Sequence, residues 1–166
     1  MIEVAVDNSV ISYYCVDKYT TDRIGKDKIA FKEMINLHKK KIVELGGPWT
    51  TLKIENLMKS GRCREVMLIK LQGVIRDWPV YDNDPADTER QVECLHKIMQ
   101  DPNGNDSRQL VIISKLTQSR HFVTMDYRFY RQFNHRKKDI MSKCGMNIFV
   151  MTPLEFIKCY NERRIS

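Results

Sequence analysis

The chain has 166 residues, 42% of them apolar, which suits a single domain over residues 1–166 with one sizeable core and leaves no need for a second. No apolar run approaches the ~20 residues that span a bilayer, and the N-terminal MIEVAVDNS carries acid where a secretory leader carries base, so a soluble cytoplasmic protein with no membrane partner is expected. A net charge of +7 favours polyanionic partners, nucleic acid foremost, while five widely spaced cysteines without a CxxC pair argue for reduced, mostly buried thiols rather than a disulfide framework or a structural zinc site.

In chain order, Ile2-Glu3-Val4-Ala5-Val6 predicts a first strand closed by Asp7-Asn8-Ser9, with Ser9 capping a helix over 10–16 and a polar link over 17–27. Phe31, Met34, Ile35 and Ile42 fall at helical spacing over 28–45. Gly46-Gly47-Pro48 is read as the stop, and His38, Lys39, Lys40 and Lys41 lie on the outer face. The β-branched run WTTLKI at 49–54 predicts the second strand, ending at Glu55, and a helix starts at Asn56. Residues 64–77 are apolar enough for a packed helix, ended by Trp78-Pro79. Asp84 caps a helix that begins with Pro85 and runs to Gln100, and capping accounts for the acids of 82–87 without a metal.

An exposed turn-rich loop is expected over 101–105, after which Asp106 opens a buried helix over 107–116. Residues 122–125 then predict a short strand that stops at Asp126. A basic helix over 127–141 follows, with Phe129 and Phe133 inward and Arg131, His135, Arg136, Lys137 and Lys138 outward. A last strand over 147–151 leads into a helix that starts at Thr152-Pro153. Strands alternating with helices call for a mostly parallel central sheet covered on both faces, a three-layer α/β/α domain.

Asp7, Glu55 and Asp126 thus fall at expected strand ends, where open α/β sheets bind their ligands, and Asp106 joins them if its helix points at the same crevice. Acids gathered in a basic protein suit a divalent cation. In this order they resemble the PIN-domain nucleases, the family containing the VapC-type toxins. The resemblance lies in Asp7-Asn8-Ser9, in Thr51 to Leu57 (TLKIENL) and in Asn105-Asp106. It continues in Phe122-Val123-Thr124-Met125-Asp126 with Phe129, and in Ile148 to Phe156 (IFVMTPLEF), so that it spans nearly the whole chain. Departures are the lysine-rich insertion before Glu55, for which Asp87 or Glu89 are substitutes, and Ile113-Ser114 where such domains often have alanine.

The resemblance implies a PIN-like fold and a Mg²⁺- or Mn²⁺-dependent endoribonuclease acting on single-stranded or looped RNA. It further implies a possible antitoxin-like partner and homodimer. Asp7, Asp106 and Asp126 would be metal ligands, Glu55 a ligand or water-orienting base, and Ser9 and Thr124 hydrogen-bonding support. The phosphate backbone would meet Lys39, Lys40, Lys41, Arg136, Lys137 and Lys138, with Arg128 and Arg131 nearer the crevice. The alternative is a non-catalytic nucleic-acid-binding or protein-interaction module with an incomplete acid set. A receiver domain phosphorylated on a strand-end aspartate would need adjacent acids near the first strand, a requirement that Asp7-Asn8-Ser9 fits poorly.

Overall fold

The run Ile2-Glu3-Val4-Ala5-Val6 becomes β1 (Ile2–Val6), the central strand of an all-parallel sheet in a computed structural model that describes residues 1–16, 21–117 and 119–165. Part of the expected polar link, 17–20, lies outside the described residues. β1 is flanked by β2 (Val43–Gly47) and β4 (His121–Val123), with β3 (Arg76–Asp77) outside β2 and β5 (Phe149–Met151) outside β4. Register sets Ala5 beside both Gly46 and Phe122, and Val6 beside Val123.

Because side chains alternate along a strand, each face of the sheet feeds its own core. Val4, Val6, Val43, Leu45 and Val123 pack against α1 (Asn8–Cys15), α2 (Asp22–Lys39), α3 (Thr50–Ser60), α4 (Glu65–Gln72) and α9 (Pro153–Asn161). Ala5, Phe122 and Val150 pack against α5 (Pro85–Met99), α6 (Asn105–Leu116), α7 (Tyr127–His135) and α8 (Lys137–Cys144). The architecture is therefore the expected three-layer α/β/α arrangement. Among the described residues no helix is long and apolar enough to cross a membrane.

Several local expectations are corrected. The helix expected over 28–45 is α2, which starts at Asp22 behind the Thr21 cap and stops at Lys39. Lys41 then turns left-handed (φ 58°) and the chain enters β2. Gly46 and Gly47 end that strand instead of a helix. A Cβ on Gly46 would lie 2.4 Å from the Trp78 ring and 2.8 Å from the Arg76 carbonyl, so glycine is what lets β3 and Trp78 close over β2. The Gly46→Ala variant is expected to lose about 1–3 kcal/mol of stability, read as a lower urea midpoint.

WTTLKI is not a strand: Thr50 and Ile54, one turn apart, are both buried and hold α3 down by a helical stripe. The helix expected over 64–77 ends at Gln72 and gives way to β3. The helix expected over 127–141 is two, α7 and α8, broken at Arg136 (φ −110°). The loop over 101–105 is a 3-10 turn in which Asp101 is buried rather than exposed. Nor are all cysteines free: Cys94 of α5 and Cys144 of α8 form a disulfide with Cα atoms 5.8 Å apart, a pairing of residues 50 apart in sequence that spacing does not reveal. Cys15, Cys63 and Cys159 are free.

Candidate functional site

Strand order runs outward from β1 to β2 and β3 on one side and to β4 and β5 on the other, so the topological switch point lies between β1 and β4. The carboxyl ends of these two strands carry the acids singled out above. Asp7 follows Val6 directly, its N–H donating to the Val123 carbonyl at 2.9 Å. Thr124 and Met125 separate β4 from Asp126, which caps α7 by accepting the Phe129 N–H at 3.1 Å. A helix that leads into a parallel strand runs against it, which puts the N-terminus of α6, and Asp106 with it, at the same sheet edge. Asp7, Asp106 and Asp126 line one shallow recess of about 190 Å³ counted to its open mouth, walled by Phe122, Phe129 and Gln109.

The hydroxyls of Ser9 and Thr124 meet at the Asp7 carboxylate. Asp7 Oδ2 accepts Ser9 Oγ at 2.6 Å and Thr124 Oγ1 at 2.8 Å, while Oδ1 accepts the Asn8 N–H at 2.8 Å. Asp7, not Ser9, is therefore the cap of α1. Ser9 Oγ also accepts the Met125 N–H at 2.9 Å, and Thr124 Oγ1 accepts that of Asp126 at 3.0 Å, so two hydroxyls tie β1 to the turn that presents Asp126.

Asp106 shows the electrostatic strain of this grouping. Partial burial, followed by repulsion from Asp7, Asp126 and Asp101, pushes its carboxyl up to about 6. Its helix is anchored by Asp101, whose carboxylate accepts Ser107 Oγ at 2.6 Å and the Ser107 N–H at 3.1 Å and lies 2.9 Å from His96 Nδ1. Burial pushes Asp101 up, but Ser107 and His96 outweigh it and hold the carboxyl below its ordinary range. A depressed folded-state value means that the contribution is present above the ordinary carboxylate range and is lost as pH falls through the folded value. Asp101→Ala is expected to cost about 1–2 kcal/mol at pH 7, and the difference from wild type should shrink in acid-titrated thermal melts.

Other candidates are placed elsewhere. Glu55 is exposed on α3 and does not line the recess; the α3 charge that feels Asp7 is that of Lys53, which does not line the recess either. Partial burial lowers Lys53 while Asp7 and Asp77 draw it up. Asp77 ends β3, two strands and about 10 Å from Asp7 at ~4.8 Å per strand, and caps α3 through the Thr51 N–H at 2.8 Å. The substitutes for Glu55 are engaged on α5 and α6: Asp87 with Lys115 at 2.6 Å and Arg90 at 3.2 Å, Glu89 with Arg108.

Lys39, Lys40 and Lys41 precede β2 and so lie at the opposite edge of the sheet from the acids. Lys137 covers the ring of Phe149 at the start of β5, beside the same far edge, and Arg136 donates to the Ile98 carbonyl. Lys138 follows them on α8. Arg128 and Arg131, exposed on the first turns of α7, stay near Asp126.

Compared with known proteins, the chain matches no protein-family model, no curated protein and no solved structure. The chemistry of the recess is thus argued from its own residues.

Among the described residues no three carboxylate, imidazole or thiolate groups stand close enough together to enclose one ion between them. Mg²⁺, however, keeps several waters and takes only one or two protein carboxylates, and hard oxygen donors under mutual repulsion suit it or Mn²⁺. Asp7, Asp106 and Asp126 offer that donor set. Gln109 Nε2, buried in the recess wall, has no hydrogen-bond partner and remains a donor for a bound anion or water. Gln109 was legible only as Asp106's neighbour one helical turn on, while Lys53 and Asp77 had no signal beyond their charge.

Proposed function

We propose that the chain is a PIN-like, divalent-metal-dependent endoribonuclease that hydrolyses single-stranded or looped RNA at the recess between β1 and β4. The observation that carries this reading is the convergence of Asp7, Asp106 and Asp126, from three distant parts of the sequence, on one recess at the switch point. Asp7, Asp106 and Asp126 would hold Mg²⁺ or Mn²⁺, directly or through water. The metal would supply an activated water and offset negative charge on the phosphodiester.

The chain's own groups do the rest. Ser9 and Thr124 fix the Asp7 carboxylate by two short hydrogen bonds, leaving it able to accept on its outer lone pairs. Gln109 offers an amide donor inside the recess, and Phe122 and Phe129 restrict water around it. Arg128, Arg131 and Lys53 supply positive charge around an otherwise acidic opening, where an approaching phosphate needs it.

Incubation of a mixed single-stranded RNA pool with the protein and Mn²⁺ is expected to give internal cleavage that stops in EDTA. Cleavage that continues unchanged in EDTA would rule the reading out. A second reading, a nucleic-acid-binding or protein-interaction module without turnover, is favoured by one observation: Glu55, the expected fourth acid, is exposed on α3 and does not line the recess. Binding without cleavage in Mn²⁺ would select it. A receiver-type phosphoacceptor is disfavoured by the strand order, since the flavodoxin-like order of receivers is 2-1-3-4-5.

A further inference from the structure

The basic residues before β2 border a groove of their own. Lys39, Lys41 and Arg76, all exposed, are its cations; half-buried Val74 with exposed Gly73 and Met1 contribute its less polar surface, and the volume is about 1130 Å³ counted to the open mouth. Its single acid, Glu44, is offset by Arg76 at 3.8 Å. His38 accepts the Leu45 N–H on Nδ1 at 3.4 Å, which fixes the ring in the wall with Nε2 left over. Two lysines therefore remain as charge without a carboxylate partner among the described residues.

The groove lies at the amino ends of the strands. Lys41 stands two residues before Val43, which pairs with Ile2, whereas Asp7 lies beyond the far end of β1. Five residues at ~3.3 Å each put the level of Val43 about 16 Å from Asp7 along the strand, with Lys41 on the far side of Val43 and Arg76, which pairs with Gly46, the groove residue nearest to the recess. No side chain that lines one lines the other.

Cations beside a less polar surface have a defined complement. Phosphates suit the cations, and an unstacked base face suits Val74 and Met1; in a duplex that face is hidden, so the less polar surface would find nothing to cover. We propose that this groove is a separate anchoring site for single-stranded RNA, distinct from the acidic recess. It rests on the reading that RNA is the ligand but not on whether the recess cleaves it. Grip and chemistry then sit on opposite edges of one sheet, and only an RNA long enough to reach both engages them together.

The test is binding of end-labelled oligo(U), and of a duplex of equal length, to the full chain in EDTA, read by fluorescence anisotropy. Lys39→Glu/Lys41→Glu is expected to weaken oligo(U) binding about tenfold or more and to lower the slope of log K against log salt by about 1.4, which is 0.7 for each of two lost phosphate contacts. Lys32→Glu/Lys158→Glu, an equal charge change at exposed positions outside the groove, is expected to do much less. Duplex should bind more weakly than oligo(U). Equal losses in the two double variants, equal binding of duplex, displacement by polyglutamate as readily as by oligonucleotide, or no oligo(U) binding by the wild type would each overturn the proposal. Cleavage is scored separately in Mn²⁺: binding that responds to Lys39→Glu/Lys41→Glu in a protein that never cleaves keeps the groove and discards the nuclease. Cleavage with binding indifferent to those lysines does the reverse.

Discussion

Asp126→Asn is expected to lower Mn²⁺-dependent RNA cleavage by on the order of 10³, with the melting temperature in EDTA close to wild type. The magnitude follows from the several kcal/mol of charge stabilisation that a bound metal contributes, at about 1.36 kcal/mol per tenfold in rate. The expected stability follows from the cap. Asp126 accepts the Phe129 N–H through one oxygen, and asparagine caps a helix about as well as aspartate. The substitution removes the charge of the proposed metal ligand and leaves the α7 cap in place. Asp7→Asn is a less clean probe, because one Asp7 oxygen receives two hydroxyl donors that an amide nitrogen would face with hydrogens of its own. Single-turnover cleavage of a labelled RNA measures the loss, and an Asp126→Asn protein as fast as wild type would end the metal-site proposal.

Asp106→Asn separates chemistry from stability in the opposite sense. Partial burial and its acidic neighbours put the folded-state value at about 6, above the ~3.9 of an unfolded aspartate. A raised value means that the folded state holds the proton more tightly. The favourable contribution is complete below the unfolded value, declines as pH rises from about 4 to 6, and is gone above it. Metal-free wild type is therefore expected to lose melting temperature across that window on this group's account. The Asp106→Asn variant should lack that decline and melt higher than wild type near pH 7.5, while its cleavage falls roughly 10²–10³-fold. Mn²⁺ should raise the wild-type melting temperature at pH 7.5 and do much less for the variant. A variant no more stable than wild type in EDTA above pH 6 would mean that neither burial nor the neighbouring acids raise the Asp106 carboxyl.

The sequence was legible wherever local and tertiary preferences agreed. β1 alternates in a way that suits a strand with two helix layers to serve, α5 carries both an aspartate cap and a first-turn proline, and α9 opens on Thr152-Pro153; each formed with bounds close to those expected. The apolar stretch Leu110-Val111-Ile112-Ile113 formed a helix, as its short distance to β4 required. The errors cluster around β2. VELGG has two glycines and no β-branched residue but Val43, and the helical stripe of α2 runs into it without interruption in composition; the left-handed turn at Lys41 is what ends the helix. WTTLKI has strand-like composition, yet its residues cover a neighbouring core by a helical stripe, and propensity yields to burial. β3 is two residues long and exists only because Gly46 leaves room for Trp78. The Cys94–Cys144 disulfide has no signature in the sequence, since nothing in the spacing of the two reports that α5 and α8 lie side by side.

The sequence alone determined the layered class of the fold and three of its acids, because alternation, caps and strand-terminal polar residues act over a few neighbours and are written in those neighbours. Only the tertiary structure decided which charges share a space. It brought Asp7, Asp106 and Asp126 together at the switch point and left Glu55 exposed outside the recess. It also carried the lysines before β2 to the far edge of the sheet. The physical reason is that a side chain's partners depend on strand order and helix direction, which arise from burying both faces of one sheet at once, and no single segment contains that information.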